Sequence, residues 1–196
     1  MSTDGRPEGR TAAGDPRAER TRAKLRAALL AECADRPLAE VSVASVVRRA
    51  GVGRATYYLH YADLSGLAVD ACADVVRAAV DALHAWRGVP DPAVPPPALG
   101  EFFTEVAPHA GLYRELMTPG GGGPLGQVLH RDLREHSRRE RELAGAPEPG
   151  LVASAVAAAF AGVFADWLHG LVEATPDELA GRVWRLLISL HRTPLG

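Results

Sequence analysis

Cysteine and lysine are scarce in this chain of 196 residues, which has two cysteines and a single lysine, Lys24. Cys33 and Cys72 form no CxxC pair and are too few for the disulfide framework of a small secreted domain. We therefore expect both thiols to be small buried apolar groups in a reducing compartment. The other basic residues are arginine, which together with abundant Ala, Gly and Pro suggests a GC-rich bacterial genome.

Long apolar runs are also missing. The longest stretch without a charged residue, Gly150 to Ala165, is shorter than the roughly 18 residues that a membrane span requires. The segment from Met1 to Arg20 is studded with Arg, Asp, Glu, Gly and Pro and lacks the apolar stretch of a secretory signal. We expect a cytoplasmic protein that does not enter membranes.

Signatures of catalysis and of metal or cofactor binding are absent from the sequence. No Gly-x-Ser-x-Gly elbow occurs, and Gly120 to Gly123 lacks the Lys-Ser/Thr pair of a phosphate-binding loop. His130 and His136 are six residues apart, off a common helical face. We therefore expect no enzymatic activity, no metal site and no cofactor.

Charge is distributed unevenly, although the net charge is only -2. Residues 1–66 contain 11 Arg and Lys against 8 Asp and Glu, a balance of +3, whereas residues 67–196 contain 11 against 16, a balance of -5. A basic amino-terminal part and an acidic carboxy-terminal part suit a small nucleic-acid-binding domain joined to a domain with another function. A chance fluctuation in composition is the alternative explanation.

Apolar residues recur at helical spacing along nearly the whole chain, and the alternation typical of β-strands is almost absent. The pattern predicts an all-α fold. A first helix is expected to begin at Asp15-Pro16 and to stop at Arg36-Pro37. A second begins at the N-cap Ser42 and ends at Gly51, which can adopt the left-handed conformation. The stretch Arg54–Tyr61 that follows is polar and aromatic, unlike ordinary core.

Further helices are expected in the rear part of the chain, separated by turns rich in Pro and Gly. They are a long helix from Asp63 to about Gly88 with Leu67, Ala71, Val75, Ala78 and Ala82 on its inner face, two short helices around Pro108, a charged helix at Leu125–Leu143, an apolar helix at Leu151–Ala174, and a last helix that starts with the capping box Thr175–Glu178. Pro119 to Pro124 is expected to be a flexible loop, with a hinge or lid as one role.

The segment Ser42–Tyr61 has the organisation of a helix-turn-helix, whose second helix must present donors to base edges and phosphates. Arg54 supplies a guanidinium that can bind a base with two hydrogen bonds. The other candidate donors on this helix are the hydroxyls of Thr56, Tyr57 and Tyr58 and the imidazole of His60.

Thr21-Arg-Ala-Lys-Leu25 and the continuous stretch Val41–Asp63 resemble the DNA-binding segment of the TetR (tetracycline repressor) family. The resemblance covers about 50 residues, from Thr21 to about Asp70. It implies an all-helical homodimer in which three amino-terminal helices bind a double-stranded DNA operator. About six further helices would hold a pocket for a small-molecule effector, and the last two would pair between subunits.

This resemblance also implies a domain organisation. Residues 1–15 would form a flexible arm, residues 16–62 the helix-turn-helix DNA-binding domain, and residues 63–196 the ligand-binding and dimerisation domain.

Position by position, the resemblance implies phosphate contacts from Ser42, Thr56, Tyr58 and His60, and base reading at Arg54 and Ala55. Thr21 completes the predicted DNA-binding set. Tyr57 and Tyr61 stand where the family often has a buried Phe, so Tyr57 is expected either to touch DNA or to pack under the helix.

Leu64 stands where the family commonly has a lysine, which removes one phosphate contact. The arginines of the front segment, Arg6, Arg10, Arg17 and Arg20, could compensate by entering the minor groove, the alternative being a disordered tail.

The rear part has no motif, so its sites are predicted from side-chain character. An apolar ligand pocket with a histidine as polar handle is predicted from Trp86, Phe102, Phe103, His109, Tyr113, Met117, His130 and Trp167. A dimer interface on the last two helices is predicted from Val156, Phe160, Phe164, Val183 and Leu187. A purely intramolecular core is the alternative for these last residues.

Together these expectations describe a dimeric transcriptional regulator, specifically a repressor that a small apolar ligand releases from a palindromic operator. The alternative is an all-α ligand-binding or interaction protein without sequence-specific DNA binding. Leu64 and the modest charge of the front segment are the features that favour this alternative.

Overall fold

The computed structural model of this chain describes residues 16–85 and 91–192, apart from the side chains of His84, His191 and Arg192. Within these ranges the protein is all-α, as the helical spacing predicts. Backbone pairing of the β type is limited there to two isolated bridges.

Nine α-helices make up the described part of the chain. They are α1 (Pro16–Cys33), α2 (Val43–Ala50), α3 (Arg54–Tyr58), α4 (Leu64–Ala85), α5 (Pro97–Val106), α6 (Ala110–Leu116), α7 (Gly123–Leu143), α8 (Pro149–Leu168) and α9 (Pro176–Arg192). α1 packs against α2 and α4, α7 lies along α8, and α5 packs against α9. One cluster of buried side chains joins all these layers, so the amino-terminal helices share a core with the rest of the described chain.

The buried face of α4 differs from the prediction in its second half. Leu67 and Ala71 are buried as expected, but Val76 is buried further on, while Ala78 and Ala82 are exposed. The reason is that α4 packs against α1 near its start and against α5, α6 and α7 as well. Because its neighbours change along its length, no single stripe stays on the inside.

The end of α8 also differs from the prediction, since the helix stops at Leu168 and does not reach Ala174. Gly170 has a φ of 76°, and the amide of Leu171 donates to the carbonyl of Asp166 at 2.8 Å. A glycine in the left-handed conformation closes the helix here.

The start of α9 is as predicted. The Thr175 amide donates to Oε2 of Glu178 at 2.9 Å, and the Glu178 amide donates to Oγ1 of Thr175 at 3.3 Å. This reciprocal pair is a capping box, which satisfies two backbone donors at the helix start.

The glycine-rich segment after α6 is a close-packed turn, whereas the sequence predicts a flexible loop. The Gly120 amide donates to Oδ1 of Asp166 at 2.9 Å. Gly121 has a φ of 85°, and a Cβ there would lie 2.8 Å from the carbonyl carbon of Ala161 on α8. The glycines therefore allow the backbone of the turn to approach the backbone of α8.

Replacing Gly126 with alanine is expected to lower the free energy of unfolding by about 1 to 2 kcal/mol. Gly126 lies in α7, and a Cβ at this position would come 2.1 Å from the carbonyl oxygen of Gly121. Urea denaturation measures the change. The matched control is Gly111→Ala in α6, where a Cβ meets nothing within 4 Å, so stability should stay the same or rise. Equal effects of the two substitutions would contradict the close packing of the turn.

Spacings of four residues on α7 predict two ion pairs, Arg131 with Glu135 and Arg138 with Glu142, and the structure gives them different outcomes. Arg138 pairs with Glu142 at 2.5 Å, as predicted. Arg131 instead pairs with the neighbouring Asp132 at 3.0 Å, and Glu135 pairs with Arg138 and Arg139. An exposed arginine can pair with any of several nearby carboxylates, and these pairs have similar free energies. Helical spacing alone therefore does not predict which pair forms.

α8 is the one helix in the described ranges that is long and apolar enough to cross a membrane, and less than half of that stretch is buried within the protein. Its sides contact α6, α7 and α9 and the glycine turn. Part of an apolar helix therefore remains exposed on a single chain.

Candidate DNA-binding surface

The start of α2 is set by Ser42, as the sequence predicts. Its Oγ accepts a hydrogen bond from the Ser45 amide at 3.1 Å, and its own amide donates to Oγ of Ser45 at 3.3 Å. Ser42 is exposed at this helix start, and the first amides of a helix have no carbonyl partner within the helix. This is a geometry in which a helix start can receive a phosphate.

The turn between α2 and α3 is tight. Gly51 has a φ of 64° and donates its amide to the carbonyl of Arg48 at 3.3 Å, while the Val52 amide reaches the carbonyl of Val47 at 3.0 Å. The carbonyl of Gly53 then accepts the Tyr57 amide at 3.0 Å and begins α3. The short helix is therefore fixed to the end of α2 by backbone geometry that favours glycine at position 51.

α3 presents a polar outer face. Arg54 and Ala55 are exposed, Tyr58 is 50% exposed, and Thr56 and His60 are half-buried. The guanidinium carbon of Arg54 lies 5.9 Å from the centre of the Tyr58 ring, within the range of a cation–π interaction. The predicted base-reading and phosphate-binding residues Arg54, Ala55, Thr56 and Tyr58 therefore lie on α3, and His60 follows shortly after its end.

Tyr57 is the exception, and its predicted contact with DNA is wrong for this structure. Its side chain is 0% exposed and packs edge-on against Tyr58 and obliquely against Tyr61. Its hydroxyl is buried and has no hydrogen-bond partner among the described residues, and burial raises the pKa of that hydroxyl to about 12. Tyr57 therefore supports α3 from below, which is the packing alternative given by the sequence.

The remaining predicted DNA contacts lie on neighbouring elements. Thr21 is half-buried on α1, and its hydroxyl donates to the carbonyl of Arg17 at 3.0 Å. Leu64 is half-buried at the start of α4, where Oδ1 of Asp63 caps the helix by accepting the Gly66 amide at 2.7 Å. Arg6 and Arg10 lie outside the described residues.

A network of ion pairs beneath α3 is absent from the sequence predictions. The hydroxyl of Tyr61 donates to Oδ2 of Asp70 at 2.5 Å, and Nη1 of Arg26 donates to the same oxygen at 3.2 Å. Arg26 also donates to Glu19 at 2.7 Å. Burial opposes ionisation of Asp70, but the hydrogen bonds from Tyr61 and Arg26 outweigh it and keep the pKa of Asp70 below its usual value.

One signal of this network is visible in the sequence. Arg26 lies between Leu25 and Leu29 on the apolar face of α1, where an arginine requires a carboxylate partner. The partner itself, Asp70, is 44 residues away and cannot be identified from local spacing. The same holds for Glu32, a buried carboxylate on α1 that receives Nε of Arg49 from α2 at 2.5 Å.

Replacing Tyr61 with phenylalanine is expected to lower the free energy of unfolding by about 1 kcal/mol, because one hydrogen bond to a partly buried carboxylate is lost. Asp70 keeps Arg26 and Arg77 as partners, which limits the loss. The matched control is Tyr58→Phe. The Tyr58 side chain is half exposed, so removing its hydroxyl should leave the free energy of unfolding unchanged. Thermal or urea denaturation distinguishes them, and equal stabilities would contradict a role for Tyr61 in the network.

Four of the predicted ligand-contacting side chains, Phe102, Phe103, Tyr113 and Met117, belong to the packed core. Phe103, Tyr113 and Met117 are buried, and the Phe103 ring lies 5.6 Å from Trp167 and 6.2 Å from Phe164. The indole of Trp167 donates to the carbonyl of Ala174 at 2.9 Å. His109 and His130 are half-buried, and Trp86 lies outside the described residues. These rings fill space between helices, so their prediction as pocket-lining residues is not supported.

The predicted dimer-interface set is divided by the structure. Phe160, Phe164 and Val183 are 8%, 0% and 2% exposed and belong to the core of the single chain, so their assignment to the interface is wrong. Val156 and Leu187 are half-buried. The exposed apolar positions on the same two helices are Leu151, Ala155, Ala158 and Leu186.

No protein-family model matches this sequence, and no curated protein matches it. Among solved structures, the fold is similar to that of NalD, described as the secondary repressor of the MexAB-OprM multidrug efflux pump in Pseudomonas aeruginosa. The two chains share 18% sequence identity, the match covers 88% of this chain and 96% of the NalD chain, and the TM-score is 0.49. These values do not assign a function.

Proposed function

We propose that this protein is a dimeric transcriptional regulator of the TetR type that binds a palindromic operator and responds to a small-molecule effector. The observation that carries the proposal is the outer face of α3. Arg54, Ala55 and Tyr58 are exposed on a helix fixed to α2 by the Gly51 turn, with Tyr57 anchored beneath it. A short helix with this support can enter the major groove as a rigid unit.

In this proposal the exposed side chains divide the work of binding. Arg54 reads a base, because a guanidinium can make two hydrogen bonds to guanine in the major groove. Ala55 allows close approach or contacts a thymine methyl group. Ser42, Thr56, Tyr58 and His60 bind phosphates and fix the register of the helix, as does Thr21 from α1.

A second copy of the chain would cover the exposed apolar side of α8 and α9. Leu151 is 59% exposed and Leu186 is 36% exposed, and the exposed alanines Ala155 and Ala158 of α8 leave room for close approach of a partner helix. A symmetric dimer would place two reading helices about 34 to 36 Å apart, one turn of DNA. A purely intramolecular arrangement would leave this apolar surface in water.

Replacing Ala158 with arginine is expected to convert the proposed dimer to monomer, because packing of a partner on this face of α8 would bury an unpaired charge. Sedimentation velocity without DNA measures the mass. Ala31→Arg, at an exposed alanine of α1, is the matched control and should leave the dimer intact. A variant Ala158→Arg that stays dimeric would move the interface away from this face of α8.

Selection of duplexes from a random DNA library by the purified protein, at moderate salt, tests the proposed function directly. Enrichment of an inverted repeat with half-site centres near one turn apart is the expected result. A folded dimer that enriches no sequence would contradict operator binding and favour an all-α ligand-binding or interaction protein.

A further inference from the structure

A groove between α4 and α7 has the size and lining of a small-ligand site. Its volume is about 350 Å³, within the range of ligand pockets. The apolar floor consists of Val76 and Val80 from α4 and Leu129 and Leu133 from α7. The rim carries guanidinium and carboxylate groups, namely Arg77, Arg131, Arg139, Asp81, Asp132 and Glu135.

Arg77 belongs to this groove and also to a second cavity on the other side of α4. The second cavity, of about 530 Å³, is lined by charged and polar residues of α1, the segment after α3, and α4, among them Arg26, Tyr61 and Asp70. Nη2 of Arg77 lies 3.1 Å from Oδ1 of Asp70, and Nη1 lies 3.6 Å from Oδ2 of Asp132 on α7. One guanidinium therefore connects the groove to the network beneath α3.

The network continues from Asp70 to the buried side of α3. Asp70 accepts the hydroxyl of Tyr61 at 2.5 Å, and the Tyr61 ring lies 6.0 Å from the ring of Tyr57. Tyr57 is the buried anchor of α3. A change in the partners of Asp70 thus reaches α3 through two aromatic side chains, without a contact between ligand and DNA-binding surface.

The rim has three arginines against three carboxylates, so the preference for an anion rests on which of these groups are already paired. Two of its carboxylates already have arginine partners, since Asp132 is paired with Arg77 and Arg131, and Glu135 is paired with Arg139 and the neighbouring Arg138. The side chains of Arg131 and Arg139 are 72% and 70% exposed, so both can turn toward a ligand. A guanidinium has more donors than these contacts use, and carboxylate is the group it binds with paired hydrogen bonds.

We propose that the groove binds a small amphipathic carboxylate whose apolar part lies on the floor and whose carboxylate takes Arg77 away from Asp70. When Asp70 loses Arg77 as a partner, the contact of α4 with α1 and with the segment after α3 becomes looser. The inference rests on the proposed function for its biological meaning, but not for its test. Because Asp70 retains Arg26 and Tyr61, the expected coupling is moderate, about a tenfold loss of operator affinity on ligand binding.

Three probes of equal chain length test the ligand class by titration calorimetry, namely octanoate, octylamine and octanol. Octanoate is expected to bind at least about tenfold more tightly than the other two, as an ion pair adds to the same apolar burial. Equal or tighter binding of octylamine would overturn the assignment of an anion. Absence of saturable octanoate binding to the folded protein would overturn the site.

Variants locate the site. Arg77→Gln is expected to weaken octanoate binding about tenfold, and Leu133→Trp, which fills the groove while keeping every charge, is expected to abolish it. The matched control is Arg22→Gln, which removes an arginine from the second cavity but not from the groove. Unchanged octanoate binding in both Arg77→Gln and Leu133→Trp would place the ligand elsewhere and overturn the proposal.

Hydrogen exchange tests the connection separately from DNA binding. Octanoate is expected to speed amide exchange in residues 54–70 of the wild-type protein, and Arg77→Gln is expected to show the faster exchange without octanoate. If octanoate binds but leaves this exchange unchanged, the connection through Arg77 is wrong even though the groove is a ligand site. If the exchange changes but no operator is ever selected, the proposed function fails and the inference stands.

Discussion

Replacing Phe164 with alanine is expected to lower the free energy of unfolding by about 3 to 5 kcal/mol. The side chain is 0% exposed, and its ring centre lies between 5.5 and 6.3 Å from the rings of Phe102, Phe103, Tyr113, Phe160 and Trp167. Removing the ring leaves a cavity between α5, α6 and α8 that such bulky neighbours fill only in part. Urea denaturation followed by circular dichroism measures the loss.

The control for this substitution is Leu151→Ala, on the same helix and 59% exposed. Its expected cost in the monomer is below about 1 kcal/mol, because little apolar surface of the single chain is lost. For an obligate dimer, stability depends on protein concentration, so both variants are compared with wild type at several concentrations. If Phe164→Ala altered only the dimer dissociation constant, Phe164 would belong to the interface after all.

The contrast between Phe164 and Ala158 explains why the sequence alone could not assign the faces of α8. Both positions lie on an apolar helix, and periodicity identifies which residues share a face but not which partner covers it. The interface prediction includes Phe160 and Phe164 because large aromatic side chains have much apolar surface to bury. In the structure that same property places Phe160 and Phe164 in the core of the chain, and the exposed apolar positions of α8 are Leu151, Ala155 and Ala158.

Three predictions that depend on neighbouring backbone are confirmed, although the local signal of Gly170 at the end of α8 was missed. Ser42 caps α2 and Gly51 ends it, because each satisfies backbone groups within a few residues of itself. The capping box at Thr175 holds for the same reason. Such signals need no knowledge of the tertiary fold.

Predictions that depend on distant contacts were incomplete or wrong. The ion pairs of Asp70 with Arg26 and of Glu32 with Arg49 join different helices, and nothing in local spacing specifies them. Gly121 gave a misleading signal, since glycine occurs both in mobile loops and where two backbones come close. Composition does not distinguish these two uses, whereas the position of α8 does.

The candidate DNA-binding surface combines both kinds of prediction, local and distant. The resemblance to the TetR family supplied the exposed positions of α3, and Arg54, Ala55 and Tyr58 lie at the surface as a DNA contact requires. For Tyr57 it left two readings open, because a tyrosine in a short helix can face either side. The buried hydroxyl of Tyr57 and the bonded hydroxyl of Tyr61 resolve both residues as supports of the helix.

Replacing Arg54 with alanine is expected to lower affinity for the selected operator by about 1 to 3 kcal/mol and to remove the preference at one base pair in each half-site. Arg54 is exposed at the start of α3, and its guanidinium lies beside the Tyr58 ring, which limits its motion before binding. Fluorescence anisotropy with the operator and its single-base variants measures both effects. Equal losses on all sequences would show that Arg54 binds a phosphate instead of a base.

Two tyrosine variants provide the internal standard for that measurement. Tyr58→Phe removes an exposed hydroxyl and is expected to weaken binding to every sequence alike. Because the substitution removes no charge, the dependence of binding on salt concentration should stay the same. Tyr57→Phe removes a buried hydroxyl without a partner and is expected to leave DNA affinity unchanged while maintaining or raising stability. If Tyr57→Phe weakened DNA binding as much as Tyr58→Phe, the short helix would have to rotate when it binds DNA. Base preference would then have to be assigned to a different face of α3, so the three variants together identify which side of the helix enters the groove.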